Sequence, residues 1–214
     1  MAVVVSQHGL AVLLPLGKLI LSSFIATALL IIVIYIPIVV FIIRIPVGQY
    51  FKGIFEPWLI AFTTCSSAAA MAANLVAARR LGATNSIASF AVPLGNTINM
   101  NGTAVYMGVC AVFAAQIYNL PLSLGDQVIV VITGVLAAVG TAGVPGAGLI
   151  MSTLVFTQIG IPLEVIALIA GVDRVLVMIR TSINVVGDST TSLMVSRMEA
   201  VFGSEPFDDS EATT

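Results

Sequence analysis

The sequence predicts an all-α membrane protein that consists of transmembrane helices and two re-entrant helical hairpins. Hydrophobic residues make up 59% of the 214 residues and charged residues only 8%, whereas an ordinary soluble domain is about 25% charged. Mean hydropathy is +1.13, and uncharged stretches long enough to cross a bilayer separate the few charged residues. The composition shows no basic patch, so membrane lipid is an expected partner and nucleic acid is not.

The most apolar segment of the chain lies between Lys18 and Arg44, where no charged residue occurs. A segment of this length can span a bilayer with some tilt, and Pro37 predicts a kink within it. We therefore predict a span over residues 19–47. The preceding residues 1–17 are interpreted as the end of an earlier scaffold helix.

The next uncharged segment, residues 57–78, differs in kind because small and hydroxyl-bearing side chains interrupt its apolar pattern. Ser66 and Ser67 lie near its middle. Such residues suit the tip of a hairpin that enters the membrane and returns, since the backbone groups there need partners within the protein. We predict a first re-entrant hairpin over residues 53–82.

Residues 95–103 read GNTINMNGT and lie between two apolar stretches. Asparagine side chains at membrane depth are costly unless they have a function. A broken helix, with unwound carbonyl groups exposed to an internal cavity, is the structure that this pattern favours. We predict a broken span over residues 85–119.

Residues 140–148 read GTAGVPGAG, and this density of glycine with a proline is incompatible with the middle of a straight helix. Apolar arms flank the segment on both sides. We therefore predict a second re-entrant hairpin over residues 123–160.

The last apolar stretch, residues 162–202, is predicted to be a span with a polar stripe. Helical geometry places four of its polar residues within about 80° of one another around the axis and leaves Arg174 off that stripe; the four are Asp173, Arg180, Asn184 and Asp188. A polar stripe on a membrane helix faces the bundle interior rather than lipid. Residues 203–214 are predicted to be a disordered acidic tail.

The distribution of charges predicts how the hairpins are oriented. Basic residues flank the base of the first hairpin, whereas the base of the second carries Asp126 and Glu164 and no basic residue; the basic residues are Arg44, Lys52, Arg79 and Arg80. By the positive-inside rule the two hairpins enter from opposite sides. Residues 18–202 then form one transport domain with an inverted-topology repeat, in a multi-pass protein of the cell membrane.

Four motifs occur in the order and spacing of one known family: SS at 66–67, NMNGT at 99–103, GTAGVPGAG at 140–148 and RTSINVVGD at 180–188. On these motifs the chain resembles the dicarboxylate/amino acid:cation symporters, the glutamate transporter family. The resemblance implies an elevator-like movement against a trimeric scaffold. It also implies that this chain is the C-terminal transport-domain half, with the N-terminal scaffold half missing, and that the complete protein is a homotrimer.

Arg180 is the strongest candidate for substrate binding, because a guanidinium can hold a carboxylate through two parallel hydrogen bonds. The alternative is an ion pair with Asp173 or Asp188. The resemblance implies further substrate contacts at Ser66, Ser67, Thr103, Val144, Gly148, Val177, Thr181 and Asn184.

The resemblance also implies sodium sites, and no cofactor besides the coupling ions, which would be sodium or protons. Asp188 matches a sodium-ligating aspartate, and carbonyl groups of Gly95, Asn99 and Asn184 would add the oxygen ligands that a hard cation prefers. The alternatives are a helix-end charge for Asp188 and an interhelical hydrogen bond for Asn99. A second sodium site is implied at Thr97, Met100, Ala138, Val139 and Thr141, and a third site at Asn101.

Two departures from the family pattern affect the expected substrate and ions. Val177 stands where amino-acid-transporting members carry the aspartate that binds the substrate amine. Valine cannot accept a hydrogen bond, and a buried ammonium without a partner is costly. This favours amine-free dicarboxylates such as succinate, malate or fumarate. Asn101 replaces an aspartate common in its motif, which removes a charge from a third sodium site.

We therefore predict a secondary active symporter that moves small dicarboxylates with sodium ions or protons. One alternative is a symporter for glutamate or aspartate, and another is a truncated relative that does not transport. An enzyme is not expected, because an intramembrane protease needs a Ser/His or paired-Asp arrangement. The chain has one histidine, and Asp173 and Asp188 lie about four helical turns apart.

Overall fold

The computed structural model describes residues 13–141 and 146–202, and all regular structure in these ranges is helical. Nine helices follow one another there: α1 Leu13–Ile43, α2 Val47–Thr64, α3 Ser67–Arg80, α4 Asn85–Ile98, α5 Asn101–Ile117, α6 Leu124–Val139, α7 Ala147–Gln158, α8 Val165–Ala170 and α9 Asp173–Phe202. For this part of the chain the predicted all-α class is confirmed.

Helix α1 is longer at its start than the sequence predicted. Residues 13–17 belong to it rather than to a preceding helix, because neither Gly17 nor the single charge of Lys18 is enough to end an apolar helix. Two turns are π-helical, Ile31–Tyr35 and Ile38–Ile43, on either side of Pro37. Wider turns at this place accommodate the proline, which has no N–H group to donate.

Helices α2 and α3 form a helical hairpin with a two-residue turn. Cys65 adopts the left-handed conformation at φ 57°, and the Ser66 hydroxyl accepts a hydrogen bond from the Ala69 N–H group at 3.3 Å. This side-chain cap satisfies one of the free donors at the start of α3. The hairpin begins at Val47, six residues before the predicted start at residue 53, since nothing in residues 47–53 interrupts the helix.

Helices α6 and α7 pack on each other as a second helical pair. A capping box of Ser123 and Asp126 starts α6, and its hydrogen bonds hold the pKa of Asp126 below its usual range. Residues 142–145, in the predicted tip of this hairpin, lie outside the described residues. The helical limits, 124 to 158, fall within the predicted range 123–160.

The predicted last span, residues 162–202, is divided in two. Short helix α8 ends at Ala170, a turn follows at Gly171 and Val172, and α9 starts at Asp173. Glycine is a poor helix former and permits an interruption at this point.

Helix α9 is the central element of the fold. It contacts α1, α2, α3, α4 and α5, and every residue from 179 to 190 is buried. Arg180, Asn184 and Asp188 of the predicted polar stripe are therefore enclosed by other helices, and Asp173 is half-buried. This enclosure agrees with the predicted interior position of the stripe.

Two hydrophobic clusters contact α9 on either side of Arg180. The first surrounds Met107 and Phe156 and includes Leu176, and the second surrounds Tyr50 and includes Ile183. Arg180 lies between the α9 residues that belong to the two clusters. The packing on both sides of Arg180 therefore positions the polar centre of the molecule.

Two stretches, Leu13–Ile43 and Asn85–Ile117, are long and apolar enough to cross a bilayer. Exposed large apolar side chains line α1 and α6, among them Leu21, Val33 and Leu136. An apolar surface of this extent is unfavourable in water and is expected in contact with lipid or another protein.

Candidate functional site

The site is built around the interruption between α4 and α5, within the segment that the sequence predicted to be broken. Asn99 and Met100 have non-helical backbone angles, with φ and ψ of −91° and 66° at Asn99. The start of α5 leaves backbone N–H groups that need acceptors. The Asn184 side-chain oxygen accepts from the N–H groups of Gly102, at 2.8 Å, and Thr103, at 3.3 Å.

The amide nitrogen of Asn184 is engaged as well. It donates to the Thr103 hydroxyl at 3.0 Å and to the Met100 sulfur at 3.0 Å. Its side chain therefore holds the broken helix against α9, with both the oxygen and the nitrogen in use. A substrate contact at this amide, as the sequence predicted, requires one of these bonds to be exchanged.

Asp188 is a buried carboxylate at the other side of the same break. Asn99 donates to its Oδ1 atom at 3.0 Å. A Cβ atom at Gly95 would lie 2.5 Å from Oδ1, so glycine at this position allows the backbone of α4 to approach the carboxylate. Asp188 lies inside the bundle rather than at a helix end, and Asn99 makes an interhelical hydrogen bond, which was the alternative to a sodium ligand.

The Asn101 side chain connects the start of α5 to α1. Its amide donates to the Tyr35 hydroxyl at 2.9 Å. A Cβ atom at Gly187 would approach Asn99, Tyr35 and Asn101 within 2.7–2.9 Å, so these groups converge on one glycine of α9. Asp188, Asn99, Asn101, Tyr35 and the backbone of Gly95 form what we call the carboxylate cluster.

Arg180 is buried, with 4% of its surface exposed. Its guanidinium lies over the Tyr106 ring, 5.1 Å from the centroid, and its Nε atom has no hydrogen-bond partner among the described residues. The alternative of an ion pair is not observed there: Asp173 accepts from the Tyr106 hydroxyl at 3.1 Å, and Asp188 accepts from Asn99.

Two glycines bring neighbouring helices close to Arg180. A Cβ atom at Gly148, in the first turn of α7, would overlap the guanidinium, and one at Gly102 would overlap the Arg180 carbonyl oxygen. Four other predicted substrate-binding residues are also buried, namely Ser67, Thr103, Val177 and Thr181. The Ser67 hydroxyl also has no partner in the described part of the chain.

The residues of the second predicted sodium site are not joined by any described interaction. Thr97 is exposed and its hydroxyl donates to the Pro93 carbonyl, while the Thr141 hydroxyl donates to the Ala137 carbonyl. Ala138 is buried and Val139 is exposed. Helices α4 and α6 are in contact, but no hydrogen bond connects them within residues 13–141. Ser66 caps α3, and Val144 lies outside the described residues.

Sequence reasoning missed three residues that organise the site: Tyr35, Tyr106 and Asn74. Asn74 donates to the Val185 carbonyl at 3.1 Å and accepts from the Ser189 hydroxyl, which docks α3 on α9. A signal was present in each case, because each residue is a polar side chain within an otherwise apolar or small-residue helix. Their partners lie far away along the chain, so the signal could not identify the contacts.

Comparisons with known proteins identify the family of the chain. The family model for the sodium:dicarboxylate symporter family matches residues 1–198. The proton/sodium-glutamate symport protein of Bacillus subtilis is 34% identical over 94% of this chain and 46% of its own length. The proton/glutamate-aspartate symporter of Escherichia coli is 35% identical over 94% of this chain and 46% of its own length.

A human protein gives a similar match. Human excitatory amino acid transporter 2 is 41% identical over 73% of this chain and 28% of its own length. The chain thus spans about half the length, or less, of these relatives. The family resemblance predicted from the four motifs is confirmed, and the chain belongs to the sodium:dicarboxylate symporter family.

Proposed function

We propose that the chain is the substrate- and cation-binding half of a secondary active symporter that carries glutamate or aspartate with sodium ions or protons. The observation that carries this proposal is the buried Arg180 guanidinium with an unpartnered Nε atom. The relatives are named as glutamate or glutamate-aspartate symporters. Their names favour the acidic amino acid, which was the alternative, over the dicarboxylate that the sequence predicted first.

The chemistry at Arg180 suits one carboxylate of the substrate. An unpaired charge in a protein interior is costly, and a carboxylate ligand would supply both the opposite charge and acceptors for the guanidinium N–H groups. Tyr106 stabilises the cation from its ring face. The close approach at Gly148 places the first turn of α7 beside the bound group, where it can exclude water.

The carboxylate cluster suits the coupling cation. Asp188 is 1% exposed, and in the described part of the chain its hydrogen-bond donor is a neutral amide. A monovalent cation there would neutralise the carboxylate and would take oxygen ligands from it and from the non-helical backbone at Asn99. Thr97, Met100, Ala138, Val139 and Thr141 remain candidates for a second cation site.

Amine-free dicarboxylates are the second candidate substrate because of Val177. This residue is 2% exposed and lies one helical turn before Arg180 on α9. An apolar side chain at this place cannot accept a hydrogen bond from an ammonium group. Succinate, malate or fumarate would leave no such donor unsatisfied.

The proposal includes a membrane arrangement for the complete protein. Both hairpins are re-entrant and enter from opposite sides of the cell membrane as an inverted repeat. The transport domain moves against an N-terminal scaffold half in a homotrimer. The support is the one-sided distribution of the basic residues at the first hairpin base and the helix break beside a buried carboxylate and a buried arginine.

The test is thermal unfolding of the purified chain with aspartate, glutamate, succinate or malate, each in sodium and in choline buffer. A ligand that binds only the folded state raises the unfolding temperature. We expect sodium-dependent stabilisation by aspartate or glutamate that is lost in Arg180→Ala. Arg174→Ala is the matched control, since Arg174 is exposed and its guanidinium donates to the Thr63 carbonyl.

The outcomes separate the candidates. Stabilisation by succinate or malate, with none by either amino acid, would replace the first substrate with the second. Loss of stabilisation in both arginine variants would mean that the effect is not specific to the buried guanidinium. A folded sample with no response to any anion in either cation would contradict the proposal.

A further inference from the structure

A second cationic site lies away from the substrate site, at the ends of α1 and α9. A cavity of about 190 Å³ opens between these helices, and Arg44 and Arg197 both line it. None of the described residues lining it is acidic. Two guanidinium groups on one small cavity without a carboxylate form a site for an anion.

The backbone presents Arg44 in a defined way. It adopts the left-handed conformation at φ 64° and ends α1, with its N–H group bonded to the Val39 carbonyl at 2.8 Å. Its Nε atom makes a long contact of 3.4 Å with the Phe41 carbonyl. Most of the guanidinium hydrogen-bonding capacity thus faces outward, together with that of the exposed Arg197.

The rest of the cavity is apolar, which indicates what kind of anion fits. Phe41 is 73% exposed and Phe202 is 79% exposed, and Val201 and Met198 complete the exposed apolar surface. A small soluble anion would leave these side chains in water. A phospholipid would place its phosphate at the arginines and its glycerol and acyl groups on the phenylalanines.

The position in the fold agrees with a lipid headgroup. Arg44 directly follows the 31-residue apolar helix Leu13–Ile43, so it lies where a spanning helix reaches the membrane interface. The Thr84 N–H group donates to the Ser196 hydroxyl, which ties the end of α9 to the turn after α3. This end of the molecule carries five of the eight basic residues: Arg44, Lys52, Arg79, Arg80 and Arg197.

We propose that Arg44, Arg197 and the apolar surface around them bind the phosphate headgroup of an anionic phospholipid in the leaflet at this end of the protein. A basic residue beside an anionic lipid headgroup contributes about fivefold in affinity, and in detergent, where no charged bilayer surface is present, only residues beside the bound headgroup contribute. Two converging arginines therefore predict a preference of about 25-fold for phosphatidylglycerol over phosphatidylcholine.

The experiment is a lipid titration of the purified chain in detergent, in which native mass spectrometry counts bound lipid. Phosphatidylglycerol should bind tightly and phosphatidylcholine weakly. The single variants Arg44→Gln and Arg197→Gln should each weaken phosphatidylglycerol binding about fivefold, and the double variant about 25-fold. Both side chains are exposed, and the unfolding temperatures of the variants would show that the fold is kept. If the double variant does not fold, the two single variants are sufficient to test the proposal.

The matched control is Arg79→Gln/Arg80→Gln, which removes the same charge from the same end of the molecule and should change binding less than twofold. Equal loss in this control would overturn the proposal in favour of unspecific surface charge. No preference for phosphatidylglycerol would also overturn it. Displacement of the lipid by free glycerol 3-phosphate at millimolar concentration would show a site for a soluble phosphate instead.

Discussion

Gly148→Ala should weaken anion binding without unfolding the protein. A Cβ atom at this position would overlap the Arg180 guanidinium, so the arginine has to move. The obstacle is the end of a flexible side chain rather than backbone, and alanine in a helix is favoured over glycine by up to about 1 kcal/mol. The expected change in the free energy of unfolding is therefore small.

The effect on binding should be much larger. A hydrogen bond to a charged group contributes about 1.5–3 kcal/mol, and a displaced guanidinium loses at least one such bond to the substrate carboxylate. This corresponds to affinity that is about 10- to 100-fold weaker. The assay is equilibrium binding of radiolabelled aspartate in sodium buffer, with unfolding temperature measured on the same samples.

Gly108→Ala is the matched control for this substitution. Gly108 is also helical, and a Cβ atom there would meet nothing within 4 Å. This variant should be as stable as the wild type or slightly more stable, with unchanged aspartate binding. Binding by Gly148→Ala within twofold of the wild-type value would refute the reasoning, because Arg180 would then not be held beside α7 when the substrate is bound.

Three further variants test other contacts of the site. Asn184→Ala removes the acceptor of two N–H groups at the start of α5 and should lower the free energy of unfolding by about 2 kcal/mol or more; an unchanged denaturation midpoint would contradict this role. Val177→Asp should raise the affinity for aspartate relative to succinate about tenfold or more, measured by competition binding; an unchanged ratio would place the substrate amine elsewhere. Tyr106→Phe keeps the ring over Arg180 and should bind aspartate better than Tyr106→Leu, which loses about 0.5–2 kcal/mol of cation–π attraction; equal binding by both variants would assign no role to the ring.

Several features of the site were predictable because they depend on local helix geometry. The spacing of four residues between Arg180, Asn184 and Asp188 places them on one face of an α-helix, and an asparagine-rich interruption between apolar stretches favours a broken helix. Their burial follows from the cost of polar groups in lipid. None of these conclusions required a contact between distant parts of the chain.

The ends of the helices were less predictable, because tertiary contacts decide whether a glycine ends a helix or lies within it. Gly17 lies within α1 without interrupting it, whereas Gly171 lies in the turn that separates α8 from α9. Glycine thus interrupts a helix at one position and not at the other. The difference arises because the packing against surrounding helices continues past Gly17, whereas the chain changes direction at Gly171.

The sequence by itself determined the all-helical class, the membrane character, the family and the polar face of α9, since composition and helical periodicity act over short distances along the chain. Only the tertiary structure decided that Asn101 bonds to Tyr35 across 66 residues and that Tyr106 lies under Arg180. The same holds for the Asn184 side chain, which caps the start of α5. These partners depend on how the helices cross, and crossing is set by the packing of whole surfaces rather than by any single motif.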